Sequence, residues 1–212
     1  MSVATDMGID DDRDEDVQGS RSGRVVAFVD IETASQPSWL ARQAVDAGVE
    51  LGPETRLWTL QHAGDGALSP YTGQVVCWAI AIDQDETVWS MCGGNELELL
   101  RAFRDQLNAI RPVTIVAHNG HSFDLPFLRA RALRLDLPKL ARGLWQDKPW
   151  GSRLVDTADA TWSPRPPRPV KGWEYNLDAV AALLGIVRPS TLPGADVPRA
   201  WYEERYDEIV AY

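Results

Sequence analysis

Acidic residues in two separate segments have the spacing and surroundings of a catalytic site. Asp30 and Glu32 lie two residues apart in the apolar run RVVAFVDIE, so both side chains would leave one face of a strand. Burying two neighbouring negative charges is unfavourable without a partner, and a divalent cation would remove that objection. On spacing alone, an edge strand with both acids hydrated explains the pair just as simply.

The segment VAHNGHSFDLPFL supplies a third acid, Asp124, where a strand is expected to turn into a helix. The positive end of a helix dipole favours a carboxylate in the first turn, with or without an activity. Its neighbours Asn119, Gly120 and Phe123 are more informative. An amide, a flexible turn and an aromatic ring beside a carboxylate are groups that hold a nucleotide phosphate and stack on its base. The segment therefore indicates nucleotide binding.

Two motifs together resemble a known family of nucleases. DIET at 30–33 and AHNGHSFDLPFL at 117–128 are similar to the first and second motifs of the DnaQ-like, or DEDD, 3′-to-5′ exonucleases. The second string is particularly similar to the proofreading domains of certain bacteriophage DNA polymerases and to stand-alone exonucleases related to family B proofreading domains. LVDT at 154–157 and NLDAVAALLGI at 176–186 follow in the expected order, so the resemblance spans residues 25–212.

The resemblance implies an α/β ribonuclease H-like fold, with a central five-stranded mixed sheet flanked by helices. It also implies hydrolysis of nucleotides from single-stranded DNA or DNA 3′ ends, two Mg²⁺ or Mn²⁺ ions, and a DNA polymerase as a candidate partner. Four residues would be catalytic: Asp30, Glu32, Asp124 and Tyr212. Asp30 would bind both ions, Glu32 the first and Asp124 the second. Tyr212 would position the attacking water. Three further residues would contact the substrate: Thr33, Asn119 and Phe123.

The family's third motif, Tyr-x-x-x-Asp in the last helix, is matched only in part. The sequence ends YDEIVAY at Tyr212, so the aspartate of that motif would fall beyond the last residue. We therefore expect a recognisable but impaired site, unless Asp156 or a water replaces the missing ligand. The alternative is a catalytically defective module that binds nucleic-acid 3′ ends or a polymerase. A structure-specific endonuclease is less favoured, because Asn119 and Phe123 match the exonuclease pattern.

Two histidines and a second acidic motif offer other interpretations. His118 and His121 could join Asp124 in a zinc site, but no fourth ligand is evident. Asp156 and Thr157, in LVDT, are expected to support the site through hydrogen bonds rather than to bind metal.

Charge is unevenly distributed along the chain, whose formal net charge is −10. Residues 1–23 hold seven acids and two arginines and are expected to be a disordered acidic tail, with an exonuclease domain, truncated in its last helix, over 24–212. Residues 129–171 hold ten basic residues against four aspartates. They predict either a strand-tracking surface or a solvated helix face, formed by Arg129, Arg131, Arg134 and Arg142. Nearby tryptophans are candidates for stacking on bases: Trp145, Trp150 and Trp173.

Composition excludes several classes of protein. An apolar fraction of 44% with 25% charged residues is typical of a globular domain rather than of a disordered chain or a collagen-like repeat. The two cysteines, Cys77 and Cys92, make no disulfide framework and are expected to be buried as small apolar residues. No apolar run approaches the roughly 20 residues that span a membrane, and no signal peptide is visible. A cytoplasmic protein without a membrane partner is expected.

Apolar runs bounded by turn residues predict the strands. Residues 25–31 form a run typical of a buried strand, and 73–82 with 86–91 predict a hairpin. A further β-branched run begins at 113 and reaches a turn at 120. Residues 153–162 predict a strand or a strand-to-helix junction.

Periodicity and capping residues predict the helices. Weak helical patterning occurs around residues 39–45. Three residues are expected to cap later helices: Asn95, Ser122 and Asn176. The helix after Asn176 should end at Gly185 and turn four residues inward: Leu177, Val180, Ala181 and Leu184. Pro198 is expected to open one last helix that continues to the end of the sequence.

Overall fold

Strand β1 (Val25–Ser35) is the longest of the five described strands and lies at the centre of the sheet. The computed structural model describes residues 25–50, 52–83, 85–110, 113–144, 154–158, 177–187 and 192–212. The other strands are β2 (Gly73–Ile82), β3 (Asp85–Cys92), β4 (Val113–Ala117) and β5 (Leu154–Asp156). Their order is β3-β2-β1-β4-β5, with antiparallel β1–β2 and β2–β3 pairs and parallel β1–β4 and β4–β5 pairs. This mixed sheet confirms the expected fold class and the predicted hairpin.

Helices separate and follow the described strands. The described helices are α1 (Pro37–Asp46), α2 (Pro53–His62), α3 (Glu96–Ala109), α4 (Asp124–Arg134), α5 (Pro138–Gly143), α6 (Leu177–Leu183), α7 (Val197–Tyr202) and α8 (Tyr206–Val210). Helix α1 confirms the patterning around residues 39–45. Helix α2 was not predicted, because none of its residues is buried and its sequence therefore carries no apolar stripe.

The main core lies between one face of the sheet and helices α3 and α4. Every second residue of β1 enters it, as the period of a strand requires: Ala27, Val29 and Ile31. The two helices contribute the largest buried side chains, including Leu99, Leu100, Phe103, Phe127 and Leu128. Because α4 is held by this packing, the position of its first residue is fixed relative to β1.

The first turns of α3 and α4 begin differently. Asn95 caps α3 as predicted, because its side-chain oxygen accepts hydrogen bonds from the backbone N–H groups of Leu97 and Glu98. The prediction that Ser122 caps α4 was wrong. Phe123 precedes α4 and makes no side-chain cap, so the chain enters the helix directly at Asp124.

A second cluster lies on the opposite face of the sheet, where α7 and α8 pack on the ends of β1 and β2. Its buried members are Ala34, Val76, Cys77, Leu192, Val197, Ala200, Trp201 and Ile209. The prediction of one long last helix was wrong. Helix α7 ends at Tyr202 and α8 begins at Tyr206, because Glu204 has φ 61°, in the left-handed region that a right-handed helix excludes.

Helix α6 is confirmed, but its inward face is narrower than predicted. Val180 and Ala181 are buried, and Gly185 follows the helix with φ 70°. Leu177 and Leu184 are 42% and 65% exposed, so their predicted burial was wrong. Leu177 is the first residue of this seven-residue helix and Leu184 follows its last residue, so both lie at its ends rather than along its buried face.

Several predictions fall outside the described residues: the acidic tail over 1–23, the Asn176 cap, and the stacking tryptophans Trp145, Trp150 and Trp173. The domain boundaries likewise stay a prediction. Among the described helices, none combines the length and the apolar character that a membrane crossing needs.

Candidate active site

The register of the sheet places Asp30 just beyond the ends of two neighbouring strands. Phe28 pairs with Val116 of β4, and Val116 pairs with Val155 of β5. Both of those strands end one residue later, whereas β1 continues for seven residues past Phe28. The turn after β4 and the start of α4 therefore lie beside the segment of β1 that carries Asp30.

The turn between β4 and α4 is held by a buried carboxylate. Asp156, at the end of β5, accepts hydrogen bonds from the backbone N–H groups of Asn119 (2.8 Å), His121 (2.9 Å) and Ala158 (3.0 Å). Its side chain is completely buried. A carboxylate has about four acceptor positions, and three are used here. The supporting role expected for Asp156 agrees with these contacts, and little capacity is left for a metal ion.

Two backbone features make this turn tight. Asn119 adopts φ 63°, an uncommon conformation that asparagine tolerates better than most residues. Gly120 lies so close to the end of β4 that an added Cβ would stand 2.6 Å from the Cβ of Ala117. Only glycine fits there without a shift of the backbone. These constraints bring the chain directly into α4 at Asp124.

Asp124 is a buried acid with a strongly perturbed pKa. Its residue is 3% exposed, and burial together with the charge of Asp30 raises its pKa from 3.8 to about 7. Hydrogen bonds from the backbone N–H groups of Asp124 and Ile31 oppose this rise, and the charge of Asp156 adds to it. The structure therefore brings the exposed Asp30 and the buried Asp124 close enough for their ionised forms to repel each other.

Glu32 shares one face of β1 with Asp30. Asp30 is exposed and Glu32 is half-buried, opposite Cys77 on β2. The charges of both acids help to raise the pKa of the Cys77 thiol, although its hydrogen bond with Cys92 and its burial contribute more. Asp30 and Glu32 are therefore both close enough to Cys77 to raise its pKa.

The donor set suits a hard divalent cation. Carboxylate oxygens are the ligands that Mg²⁺ and Mn²⁺ prefer, and a cation beside Asp124 would relieve the repulsion that raises its pKa. Within the described ranges, however, no three His, Cys, Asp or Glu side chains converge closely enough to form a metal site by themselves. The metal ligands therefore stay a prediction.

The predicted substrate contacts differ in accessibility. Asn119 and Phe123 are half-buried, and the Phe123 ring packs 5.5 Å from that of Phe127. Thr33 is only 6% exposed, next to an irregularity in the pairing of β1 with β2. Thr33 therefore offers little surface to a substrate.

Tyr212 packs against the second cluster. Its hydroxyl lies beside Gly194, where an added Cβ would approach it to 2.8 Å. Its predicted role in positioning the attacking water stays a prediction.

The histidines face β5 rather than a zinc site. His118 Nδ1 lies 3.0 Å from the Thr157 hydroxyl oxygen, and His121 Nδ1 lies 3.5 Å from Asp156 Oδ2. Both imidazoles thus contribute to the support of the β4–α4 turn.

One pair of buried charges was not predicted. Arg131, assigned from the sequence to a basic surface or a solvated helix face, is 3% exposed and bonds to Glu96, itself 8% exposed. That assignment was wrong for Arg131. Its spacing of three residues from Leu128 and four from Leu135 puts it in the apolar stripe of α4, a signal that could have indicated burial.

Comparison with known proteins relates this geometry to a family. Residues 75–155 match the model of the exonuclease domain of DNA polymerase family B. The matched segment includes Asp124, whereas Asp30 and Glu32 precede it. The chain matches none of the curated proteins.

A solved structure shows the same fold. The family B DNA polymerase from the hyperthermophilic archaeon Pyrobaculum calidifontis superposes with a TM-score of 0.60 at 20% identity, over 90% of this chain. The chain spans 22% of the length of that polymerase. The partial family match and the shared fold agree with the resemblance read from the motifs: residues 75–155 are similar to the exonuclease domain of DNA polymerase family B, and the chain shares its fold with part of such a polymerase.

Proposed function

We propose that the chain is a metal-dependent 3′-to-5′ exonuclease that hydrolyses nucleotides from the 3′ ends of DNA. The observation that carries this proposal is Asp124, a buried carboxylate whose pKa is raised to about 7 by burial and by Asp30. A strongly perturbed acid beside a second acid is typical of a functional site. The family match and the fold support a nuclease and a DNA substrate in the context of a polymerase.

Three carboxylates are the proposed metal ligands. Asp30 binds two Mg²⁺ or Mn²⁺ ions, Glu32 binds the first and Asp124 the second. When bound, such a pair activates water and stabilises the leaving 3′-oxygen of the scissile phosphate. Asp124 contributes most through its burial, because a carboxylate shielded from water interacts more strongly with a cation.

Other residues of the chain orient the reactants. Tyr212 holds the attacking water by a hydrogen bond, and Asn119 binds the phosphodiester backbone. Phe123 stacks on a terminal base, while Thr33 contacts the 3′ end. Arg134 on α4 and Arg142 on α5 are exposed, and their positive charges attract the phosphates of the DNA strand.

The test is digestion of a 5′-labelled single-stranded DNA oligonucleotide with Mn²⁺. The wild-type chain should produce a ladder that shortens from the 3′ end. The Asp30→Ala, Glu32→Ala double variant and Asp124→Asn should produce none. Asp46→Asn is the matched control, because it removes an exposed acid on α1 and should leave the ladder unchanged. Equal digestion by the double variant would refute the proposed mechanism.

The same samples also address the second candidate function, binding without cleavage. Gel-shift titration with the same oligonucleotide measures binding separately from cleavage. Mn²⁺-dependent retention of a free 3′ end without any ladder would favour the alternative, a catalytically defective binding module. An RNA oligonucleotide of the same sequence in parallel tests the preference for DNA.

A further inference from the structure

A buried polar network connects β2, α3 and α4 behind the candidate active site. Glu96, the first residue of α3, accepts a hydrogen bond from the Val75 backbone N–H (2.8 Å) and a second from Arg131 Nε (2.8 Å). Arg131 Nη2 bonds to the other oxygen of the same carboxylate, and Arg131 Nη1 donates to the Pro70 carbonyl (3.0 Å). Both charged side chains are at least nine-tenths buried.

One end of this network lies at a bulge beside the acids of β1. Glu32 pairs with Cys77 and Thr33 with Val75, so Val76 is an extra residue in β2. A bulge disrupts the regular ladder of hydrogen bonds at that point. The Val75 N–H next to it donates to Glu96 Oε1, so the carboxylate satisfies a backbone group within the disrupted ladder.

The other end fixes the helix that begins with Asp124. Arg131 lies seven residues, or two helical turns, after Asp124 on α4. Its two bonds to Glu96 are bidentate, a geometry that fixes both position and orientation. The network therefore connects β2, at the bulge opposite Glu32 and Thr33, to the helix that carries Asp124.

We propose that Glu96 and Arg131 are positioning residues that set the separation of Glu32 and Asp124. This inference rests on the proposed function, because it concerns the distance between its metal ligands. Replacing Glu96 and Arg131 leaves every proposed metal ligand in place. It weakens the packing that holds β1 and α4, which carry these ligands, at a fixed separation. Loss of groups that orient metal ligands typically weakens metal binding roughly 10- to 100-fold.

The test measures Mn²⁺ affinity from the electron paramagnetic resonance signal of the free ion. Replacing Glu96 alone would leave the Arg131 charge buried without its partner, and that variant could unfold. The double variant Glu96→Gln, Arg131→Met removes both charges at similar volume and is the one to use. It should remain folded by circular dichroism and bind Mn²⁺ roughly 10-fold more weakly than the wild type.

Two further variants make the result specific. Leu107→Ala creates a cavity on the same helix, about three turns from Glu96, and lowers stability without touching the network. It should bind Mn²⁺ like the wild type. Mn²⁺ binding that is equally weakened in Leu107→Ala, or wild-type Mn²⁺ affinity in the folded double variant, would refute the positioning role. Neither result would refute the proposed function.

Asp124→Asn distinguishes this failure from failure of the proposed function. If the wild-type chain binds Mn²⁺ and Asp124→Asn binds it more weakly, the proposed site exists, and the double variant then tests how its ligands are positioned. If Asp124→Asn binds as tightly as the wild type, the ion is held elsewhere. The proposed function and the inference that depends on it are then both refuted.

Discussion

Replacing Asp124 by asparagine is expected to stabilise the metal-free protein above neutral pH, even though it removes a proposed catalytic residue. In the folded chain the pKa of Asp124 rises from 3.8 to about 7, because the carboxylate is buried and lies near Asp30. Keeping it ionised at pH 8 therefore works against folding. Asparagine has nearly the same shape, retains one oxygen acceptor for the backbone N–H groups and carries no charge.

The magnitude follows from the two pKa values. Each pKa unit corresponds to about 1.4 kcal/mol, so the rise from 3.8 to about 7 amounts to about 4 kcal/mol as an upper bound. Below pH 4 the carboxyl is protonated in both states and contributes no penalty. As the pH rises from 4 to 7, the unfolded chain releases this proton before the folded chain does, so folding stability decreases. Above pH 7 the full penalty is present, and asparagine avoids it.

Urea unfolding of the metal-free wild type and Asp124→Asn at pH 5 and pH 8 measures the effect. Part of the penalty is already present at pH 5, which lies above the unfolded pKa of 3.8, so the stability difference should shift in favour of the variant between these two pH values by up to about 3 kcal/mol, or roughly two pKa units. Asp46→Asn controls for loss of a negative charge at the surface and should show no such shift. A stability difference that is the same at both pH values would contradict the buried, repelled state of Asp124.

Mn²⁺ provides an independent check on the same pair of proteins. An ion present at 100 times its dissociation constant stabilises a protein that binds it only when folded by about 2.7 kcal/mol. The wild type should gain this stability at pH 8, and Asp124→Asn should gain much less. Equal gains in both proteins would mean that Asp124 does not hold the ion.

Three further predictions concern the surroundings of the site. Gly120→Ala should lower the free energy of unfolding by about 1–3 kcal/mol in urea titrations, because its Cβ would collide with the end of β4. Cys92 should react with iodoacetamide before Cys77, since their mutual hydrogen bond lowers the pKa of Cys92 and raises that of Cys77; mass spectrometry of partly labelled protein identifies the first site. Tyr202→Phe should cost about 1 kcal/mol of stability, because its hydroxyl donates to the Ser35 carbonyl at 2.7 Å.

Local sequence patterns predicted the strand and the helix that carry the two acids Asp30 and Asp124. The run of apolar residues around Asp30 identified the central strand, and the turn before Asp124 identified the start of α4. The resemblance to the exonuclease motifs then grouped these two acids, and the structure brings them together. Periodicity predicted the elements themselves, because strands and helices impose repeats of two and 3.6 residues.

Long-range and irregular features escaped the same reasoning. The partner of Arg131 lies 35 residues away in α3, so nothing local distinguishes it from an arginine on a solvated helix face. The bulge opposite Glu32 and Thr33 needs an extra residue in the facing strand, which the uniformly apolar segment GQVVCWAIAI does not reveal. The break at Glu204 needs a left-handed residue, and glutamate gives no hint of one.

The bulge at Val76 makes the site more sensitive to the length of β2 than to its composition. Because of the extra residue, Val76 and Cys77 both enter the second cluster, while Trp78 and Val75 on either side enter the main core. Substituting one apolar residue for another preserves this division. Deleting Val76 would restore regular alternation with Val75 and Trp78 still facing the main core, because only one of two consecutive residues on the other face would be lost. The second cluster would then keep only Cys77 from this strand, and the bulge opposite Glu32 and Thr33 would disappear.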